Sequence, residues 1–264
     1  MVRVSTYKEY KQYVQGFIDG YIPFIIIKSS GGHGKTYTFE QFKKKGHNII
    51  FLSGHVTPLK FYLTMMENPT AKIILDDVGT TFTNKTMGEL LKQATELKPK
   101  KWIRYASTTA ILKPEEKEFL FSGRIGILTN ENPKNNNNHK ALITRCIFID
   151  FKPSNDEILN IMKHFPKTEE EKKVYDFIYT YKDVISLNFR DYKKINMVKD
   201  ANIDWKGYFI SEKKINTTEQ KIEKAFIDYE QKHINKQELK IQVMNQGLCS
   251  KTFYNMYNKR YPNK

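Results

Sequence analysis

Lys35 and Thr36 close the stretch Phe24-Ile25-Ile26-Ile27-Lys28-Ser29-Ser30-Gly31-Gly32-His33-Gly34-Lys35-Thr36, whose residue types suit the handling of a polyphosphate. Glycine carries no Cβ, so Gly31, Gly32 and Gly34 let consecutive backbone N–H groups turn inward, and the amides of Ser30 and His33 join the same cradle. The Lys35 ammonium is suited to reach the β- and γ-phosphates of a nucleoside triphosphate, and the Thr36 hydroxyl is a hard oxygen ligand for Mg²⁺. Further along, Lys72-Ile73-Ile74-Leu75-Asp76-Asp77-Val78 ends in adjacent carboxylates. Asp76 would hold the Mg²⁺ shell and Asp77 would orient and polarise the water attacking the γ-phosphate. The alternative for the Asp pair is a loop cap at a strand end.

These groups need elements to hold them. The apolar β-branched run at 24–28 predicts a buried strand, and the glycine turn then feeds a helix over 37–45 that Gly46 ends. A helix over 6–19, with Tyr10, Tyr13, Val14 and Phe17 at helical spacing, is expected beside the turn. A strand over 48–52, a helix over 59–67 stopped by Asn68-Pro69, the 72–78 strand and a helix over 86–97 follow. The alternation at 102–107 and 118–122, around a polar turn at 113–117, predicts a β-hairpin or short insertion. Gly126-Ile127-Leu128-Thr129-Asn130 is a further strand, and it leads into an Asn-rich loop at 132–138. Ser154-x-x-Glu157 and Thr168-x-x-Glu171 read as capping boxes opening helices, and another helix begins near Asn188. Thr217-x-x-Gln220 opens a helix in the last segment, 236–246 forms a second with Gly247 after it, and Ser250 is the expected cap of a third over 251–260.

The 29–36 stretch resembles the Walker A motif of P-loop NTPases, GxxxxGK(S/T), with Ser29 in place of the first glycine. The 72–78 stretch resembles Walker B, with Asp-Asp where many members carry Asp-Glu. Asn130, at the end of its strand, resembles the sensor 1 residue of AAA+ ATPases; turning the strand into the following loop is its other reading. Arg145, in Thr144-Arg145-Cys146, resembles the arginine finger of that class and is close to the Ser-Arg-Cys of clamp loaders, with a surface salt bridge as the alternative. Arg190 sits where the class places sensor 2. Together these motifs make the chain similar to AAA+ proteins over about residues 5–212, and within them to phage or plasmid replication ATPases. The resemblance implies an α/β fold, a P-loop AAA+ parallel sheet flanked by helices, followed by an all-α lid. It also implies ATP and Mg²⁺ as cofactors and sites shared between subunits of an oligomer, a hexamer favoured. The implied division is an ATPase domain at 1–153, a helical lid at 154–216 and a helix-turn-helix domain at 217–264.

The formal charge of +15 is uneven: residues 1–153 carry 23 basic and 13 acidic residues (+10), 154–217 carry 12 and 11 (+1), and 218–264 carry 9 and 5 (+4). The excess at both ends suggests a polyanion touched by both, although the Lys-, Asn-, Ile- and Tyr-rich composition also suits an AT-biased genome. Helix, Gly-containing turn, helix at 236–260 is a helix-turn-helix pattern, in which Lys251, Thr252, Tyr254, Asn255, Lys259 and Arg260 would face DNA; the alternative is a helical bundle docking to a protein. The hairpin is similar to that of superfamily 3 helicases, with Lys100, Lys101, Arg104, Lys113 and Lys117 as candidates to grip DNA. No apolar run approaches a membrane span and no signal peptide is visible, so a soluble, cytoplasmic protein is expected, possible origins including a phage or plasmid. Cys146 and Cys249 form no disulfide or zinc pattern and are expected to be buried. Two functions remain: a DNA-replication ring motor of helicase or translocase type, and an ATP-controlled initiator or helicase-loader switch that recruits a replication protein. A transposition or defence regulator of the same ATPase class is a third.

Overall fold

The computed structural model describes residues 1–79, 81–105, 113, 117–130, 137–215, 217–231 and 233–262. Ala106 and Ser107 of the expected strand, turn residues 114–116 and most of the Asn-rich loop lie outside them. In chain order the first elements are β1 (Val2–Val4), α1 (Tyr7–Asp19), β2 (Phe24–Lys28), α2 (Lys35–Lys44), β3 (Ile49–Ser53), α3 (Pro58–Glu67), β4 (Lys72–Asp76) and α4 (Lys85–Ala94). The ribbon strands β5 (Lys101–Arg104) and β6 (Glu118–Phe121) follow, then β7 (Arg124–Thr129), α5 (Asn137–Ile143), β8 (Ile147–Phe151) and α6 (Asn155–Met162).

Six strands form one parallel sheet in the order β1-β8-β2-β7-β4-β3. Parallel strands are covered on both faces, which is why Phe24-Ile25-Ile26-Ile27 and Ile73-Ile74-Leu75 are continuous apolar runs and fully buried. One face packs Phe24, Ile26, Ile73, Leu75, Ile125 and Ile127 against Phe61, Tyr62, Met65, Leu90 and Leu91. The order matters more than the burial. The chain leaves β2, builds β3 and β4, and only then inserts β7 between β4 and β2, so the loops leaving β2, β4 and β7 open at one edge of the sheet. In open α/β sheets that edge, beyond the strand C-termini, is where ligands bind.

Several expectations shift by local physics. β1 is a three-residue edge strand beside β8 that the expected elements lack; it is too short to show a periodicity. Helix α2 starts at Lys35 itself, with Gly34 as its left-handed N-cap at φ 78°. Helix α4 ends at Ala94, short of the expected 97; the Thr95 hydroxyl donates to the Leu91 carbonyl at 2.7 Å, and Leu97 is exposed. Ser154 and Thr168 do cap helices, yet neither box is reciprocal: the Glu157 carboxylate accepts from Tyr7 N at 2.9 Å and that of Glu171 from Lys167 N at 2.6 Å. Cys249, not Ser250, is the N-cap of the last helix, and it is exposed rather than buried.

By internal packing the chain divides into two units, Met1–Phe165 with Asn188–Arg190, and Pro166–Leu187 with Asp191–Lys264. The second is helical, with α7 (Glu169–Tyr179), most of α8 (Phe189–Asp200), α9 (Trp205–Glu212), α10 (Thr217–Glu230), α11 (Lys236–Met244) and α12 (Ser250–Arg260). Its last three helices have their own core of Ile222, Ala225, Phe226, Leu239, Val243, Phe253 and Tyr257. A complete capping box between Asn235 and Glu238 starts α11.

Candidate functional site

The turn after β2 is built from residues that pin one another. Ser29 N donates to the Thr129 carbonyl at 3.1 Å, and the Ser29 hydroxyl pairs with His33 Nδ1 at 2.9 Å; both side chains are buried. The serine that replaces a glycine thus ties the two ends of the turn. Gly32 and Gly34 lie at φ 82° and 78°, in the left-handed region that side chains resist. From α1, the Tyr7 hydroxyl donates to the His33 carbonyl at 3.2 Å and that of Tyr10 to the Lys35 carbonyl at 3.3 Å. Burial raises the pKa of both tyrosines, which keeps them protonated donors.

Lys35 uses its ammonium three ways: to the Ser29 carbonyl at 2.6 Å, the Ser30 carbonyl at 3.3 Å and Asn130 Oδ1 at 2.6 Å. Asn130 Nδ2 in turn donates to Asp77 Oδ1 and Oδ2 at 2.9 and 2.8 Å. One amide therefore links the lysine of the turn to the carboxylate after β4, its oxygen toward the cation and its nitrogen toward the anion. The Thr36 hydroxyl donates to Asp76 Oδ2 at 2.7 Å. Those two hard oxygens fit a Mg²⁺ ion, and Lys35 with the Ser30–Thr36 backbone fits a polyphosphate. Burial lowers the pKa of Lys35 while Asp77 and Asp76 oppose the shift; burial raises that of Asp76, and the Thr36 hydrogen bond opposes it.

Asp77 has φ 50°, the left-handed region that Asp enters more readily than Glu. That backbone position supplies a physical reason for Asp-Asp where Asp-Glu is common.

Arg190 belongs to the same unit as this turn. Its guanidinium lies so close over Gly31 that a Cβ there would sit 3.1 Å from Nη1. Phe189 N donates to the Gly32 carbonyl at 3.0 Å, and the Asn188 side chain accepts from Arg190 N at 2.9 Å. Sequence reasoning missed Asn188, Phe189, Tyr7 and Tyr10 as supports of the turn; all four read as ordinary helix residues. Arg145 stands elsewhere. Ile147 pairs with Ile25 and Asp150 with Lys28, so Arg145 lies roughly 15 Å below the level of the turn, at the opposite edge of the sheet. Its Nη1 donates to the Ala141 carbonyl at 3.4 Å.

On the ribbon, Lys101 is 3% exposed, donates to the Gly123 carbonyl at 2.9 Å and lies over the Phe121 ring, so it faces away from any DNA; burial pulls its pKa down to about 8. Arg104 is exposed and ion-paired to Glu118 at 2.8 Å, and Lys113 is exposed. On α12, Lys251, Tyr254, Asn255 and Lys259 are exposed and Thr252 is half-buried beside Cys249. Arg260 pairs with Glu230 at 2.8 Å and covers the Phe226 ring.

The fold is that of the P-loop AAA+ ATPases, a parallel sheet flanked by helices and followed by helical segments. Two variants of RuvB from Thermotoga maritima share it, with TM-scores of 0.51 and 0.50, identities of 14% and 15%, 86% and 84% of this chain covered and 78% and 76% of theirs. AMPPCP-bound DnaA from Aquifex aeolicus is a looser match, at TM-score 0.45 and 17% identity, covering 83% of this chain and 67% of its own. At such identities the likeness is one of fold. In sequence the chain is 25% identical over 162 residues to an uncharacterized 36.7 kDa protein of the nrdC-mobD intergenic region of enterobacteria phage T4. The match takes in 54% of this chain and spans half of that protein's length, 50%. No family model matches the chain. Among the described residues, no helix is long and apolar enough to cross a membrane.

Proposed function

We propose that the protein is a Mg²⁺-dependent ATPase that acts on DNA in replication or recombination, as an oligomeric ring motor of helicase or translocase type. The observation that supports this reading is the Lys35–Asn130–Asp77 chain of hydrogen bonds beside the Thr36–Asp76 pair, which brings an ammonium, an amide, a hydroxyl and two carboxylates into one cluster. In the proposed cycle Lys35 and residues 30–36 bind ATP, Thr36 and Asp76 hold Mg²⁺, and Asp77 orients the attacking water with Asn130. Arg190 contacts phosphate within its own chain. Arg145 serves the site of a neighbouring subunit, a role that its distance from its own chain's turn supports. The working division is an ATPase at 1–153, a lid at 154–216 and a DNA-binding helix-turn-helix at 217–264.

A second reading, an initiator or loader switch, draws support from the separate core of the last three helices, since a segment with its own core can hold duplex DNA throughout the ATP cycle. The test is ATP turnover with and without single-stranded and duplex DNA, together with the mass in solution bound to a non-hydrolysable ATP analogue. Stimulation by single strands with a ring-sized mass is the expected result. Slow, duplex-dependent turnover without a ring supports the switch, and Lys35→Ala leaving turnover intact would remove both readings.

A further inference from the structure

At the edge of the sheet opposite the phosphate-type turn, two cations stand side by side. Lys72 opens β4 and Arg124 opens β7, and the parallel register pairs them directly, so both side chains leave the same face. It is the face that α1 covers: the next residues up those strands on it are Ile74 and Gly126, and a Cβ on Gly126 would stand 3.5 Å from the Phe17 ring. That cover stops at Gly20, the left-handed C-cap of α1. There the Arg124 guanidinium lies against the backbone, and a Cβ on Gly20 would stand 2.0 Å from Nη2. Both cations are half-buried, their apolar stems able to pack while the charged ends reach the rim.

Like charges placed directly opposite on neighbouring strands repel. Burial and the Arg124 charge pull the Lys72 ammonium below the usual lysine range, and Asp19 opposes that shift without reversing it. The Asp19 carboxylate accepts from Gln15 Nε2 at 2.7 Å. Neither Lys72 nor Arg124 donates a side-chain hydrogen bond or forms an ion pair among the described residues. The other register neighbour of Lys72 is the buried, apolar Ile49, and a further cation that acts on Arg124, Lys101, gives its ammonium to the Gly123 carbonyl. A guanidinium fork and a compact ammonium on strands about 5 Å apart suit a tetrahedral oxyanion. A carboxylate spends both oxygens on the fork; the oxygens of a phosphate lie in more than one plane and serve the ammonium as well.

We infer that Lys72 and Arg124 form a site for a phosphate group at the N-terminal edge of the sheet, separate from the phosphate-type turn, with the Arg124 fork and the Lys72 ammonium both on its oxygens. The phosphate is a free ion or part of a nucleic-acid backbone, and the chemistry of the site is the same for either.

The experiment uses the full chain carrying Lys35→Ala, so that the turn has no lysine to hold phosphate. Its thermal midpoint is followed against inorganic phosphate, with sodium chloride at matched ionic strength as the reference, and phosphate is expected to raise it beyond chloride. Adding Lys72→Gln should weaken the apparent Kd for phosphate roughly ten- to hundredfold, the span of a hydrogen bond to a charged group. Arg124→Lys, which keeps the charge and loses the fork, should weaken it as well. The midpoint in chloride verifies that each variant folds; should Arg124→Lys fail to do so, Lys72→Gln carries the test. A duplex oligonucleotide separates the two sources. Salt dependence of binding lower by about one phosphate contact in Lys72→Gln assigns the phosphate to a nucleic-acid backbone, and unchanged salt dependence beside a lost phosphate effect assigns it to the free ion. A midpoint that rises equally in phosphate and chloride, or a phosphate effect that survives both substitutions, overturns the inference. With Lys35 in place, Lys72→Gln should leave ATP turnover unchanged, so failure of this site leaves the ATPase reading standing and failure of that reading leaves the site.

Discussion

At the scale of residues, the candidate centre is held by side chains bonded to each other before any ligand arrives. The three hydrogen bonds of Lys35 occupy all three ammonium donors, so a phosphate must displace at least one of them, and Asn130 is the partner able to follow the exchange because it also holds Asp77. Asp77→Asn keeps a residue that tolerates φ 50° and removes the negative charge. Turnover should fall roughly a hundred- to ten-thousandfold while nucleotide affinity stays near the parent's, measured by steady-state turnover beside equilibrium binding. Lys101 gives a second prediction, in stability. Its pKa near 8 in the folded chain lies below the value of about 10.4 in the unfolded one. Between those values the unfolded state binds the extra proton, so the parent gains stability as pH rises through this window and bears the penalty below it. Lys101→Met should therefore be more stable than the parent at pH 7, by about 3 kcal/mol at most. That advantage should shrink as pH rises from 8 to 10, followed by urea unfolding.

At the scale of elements, the junction between ribbon and sheet is tightly packed. Gly123 lies between β6 and β7, where Ser122 N and Gly123 N both donate to the Pro69 carbonyl, at 2.8 and 2.9 Å. A Cβ at Gly123 would stand 2.2 Å from the Ala71 carbonyl oxygen, a backbone atom that no rotamer change removes. Gly123→Ala is thus expected to destabilise the chain by about 2 kcal/mol or more in thermal unfolding, as overpacking of a core does. Gly46→Ala is the matched control: it also replaces a glycine, but no atom lies within 4 Å of its added Cβ, so its cost is the backbone strain at φ 91° alone. Much of the element pattern was legible from local spacing. Thr6 and Gly20 bound α1, and β2 and the second ribbon strand fall where period and turn signals put them, while the first ribbon strand, expected over 102–107, runs from Lys101 to Arg104. What escaped at Glu157 was decided by tertiary competition: its carboxylate left its own cap for Tyr7 N.

At the scale of the whole molecule, Arg145 and the phosphate-type turn lie at opposite edges of one sheet. If the arginine serves a neighbour, Arg145→Ala alone should lose turnover. Mixed with Lys35→Ala, itself inactive, it should regain part of it, because the mixed interface pairs an intact Lys35 site with an intact Arg145. Rescue that is absent at every mixing ratio would confine Arg145 to its own chain. The two packing units also cut across the chain: Asn188, Phe189 and Arg190 pack with the sheet while the residues on either side of them pack with the helices. A phosphate drawing Arg190 from Gly31 would act on a segment whose continuation is in the other unit.

By itself the sequence determined the groups whose chemistry is local: the glycine turn ending in Lys35 and Thr36, the Asp76–Asp77 pair, and the apolar runs that had to be buried. A turn's conformation and a strand's alternation follow from a few consecutive residues, so they can be read without the rest of the chain. The tertiary structure alone decided that Asn130 meets both Lys35 and Asp77, that Lys101 turns inward while Trp102 turns out, and that Arg190 lies over Gly31. Each of these depends on strand order or register between segments far apart in the chain. A one-residue shift of register reverses every side chain on a ribbon, and no local spacing carries that information.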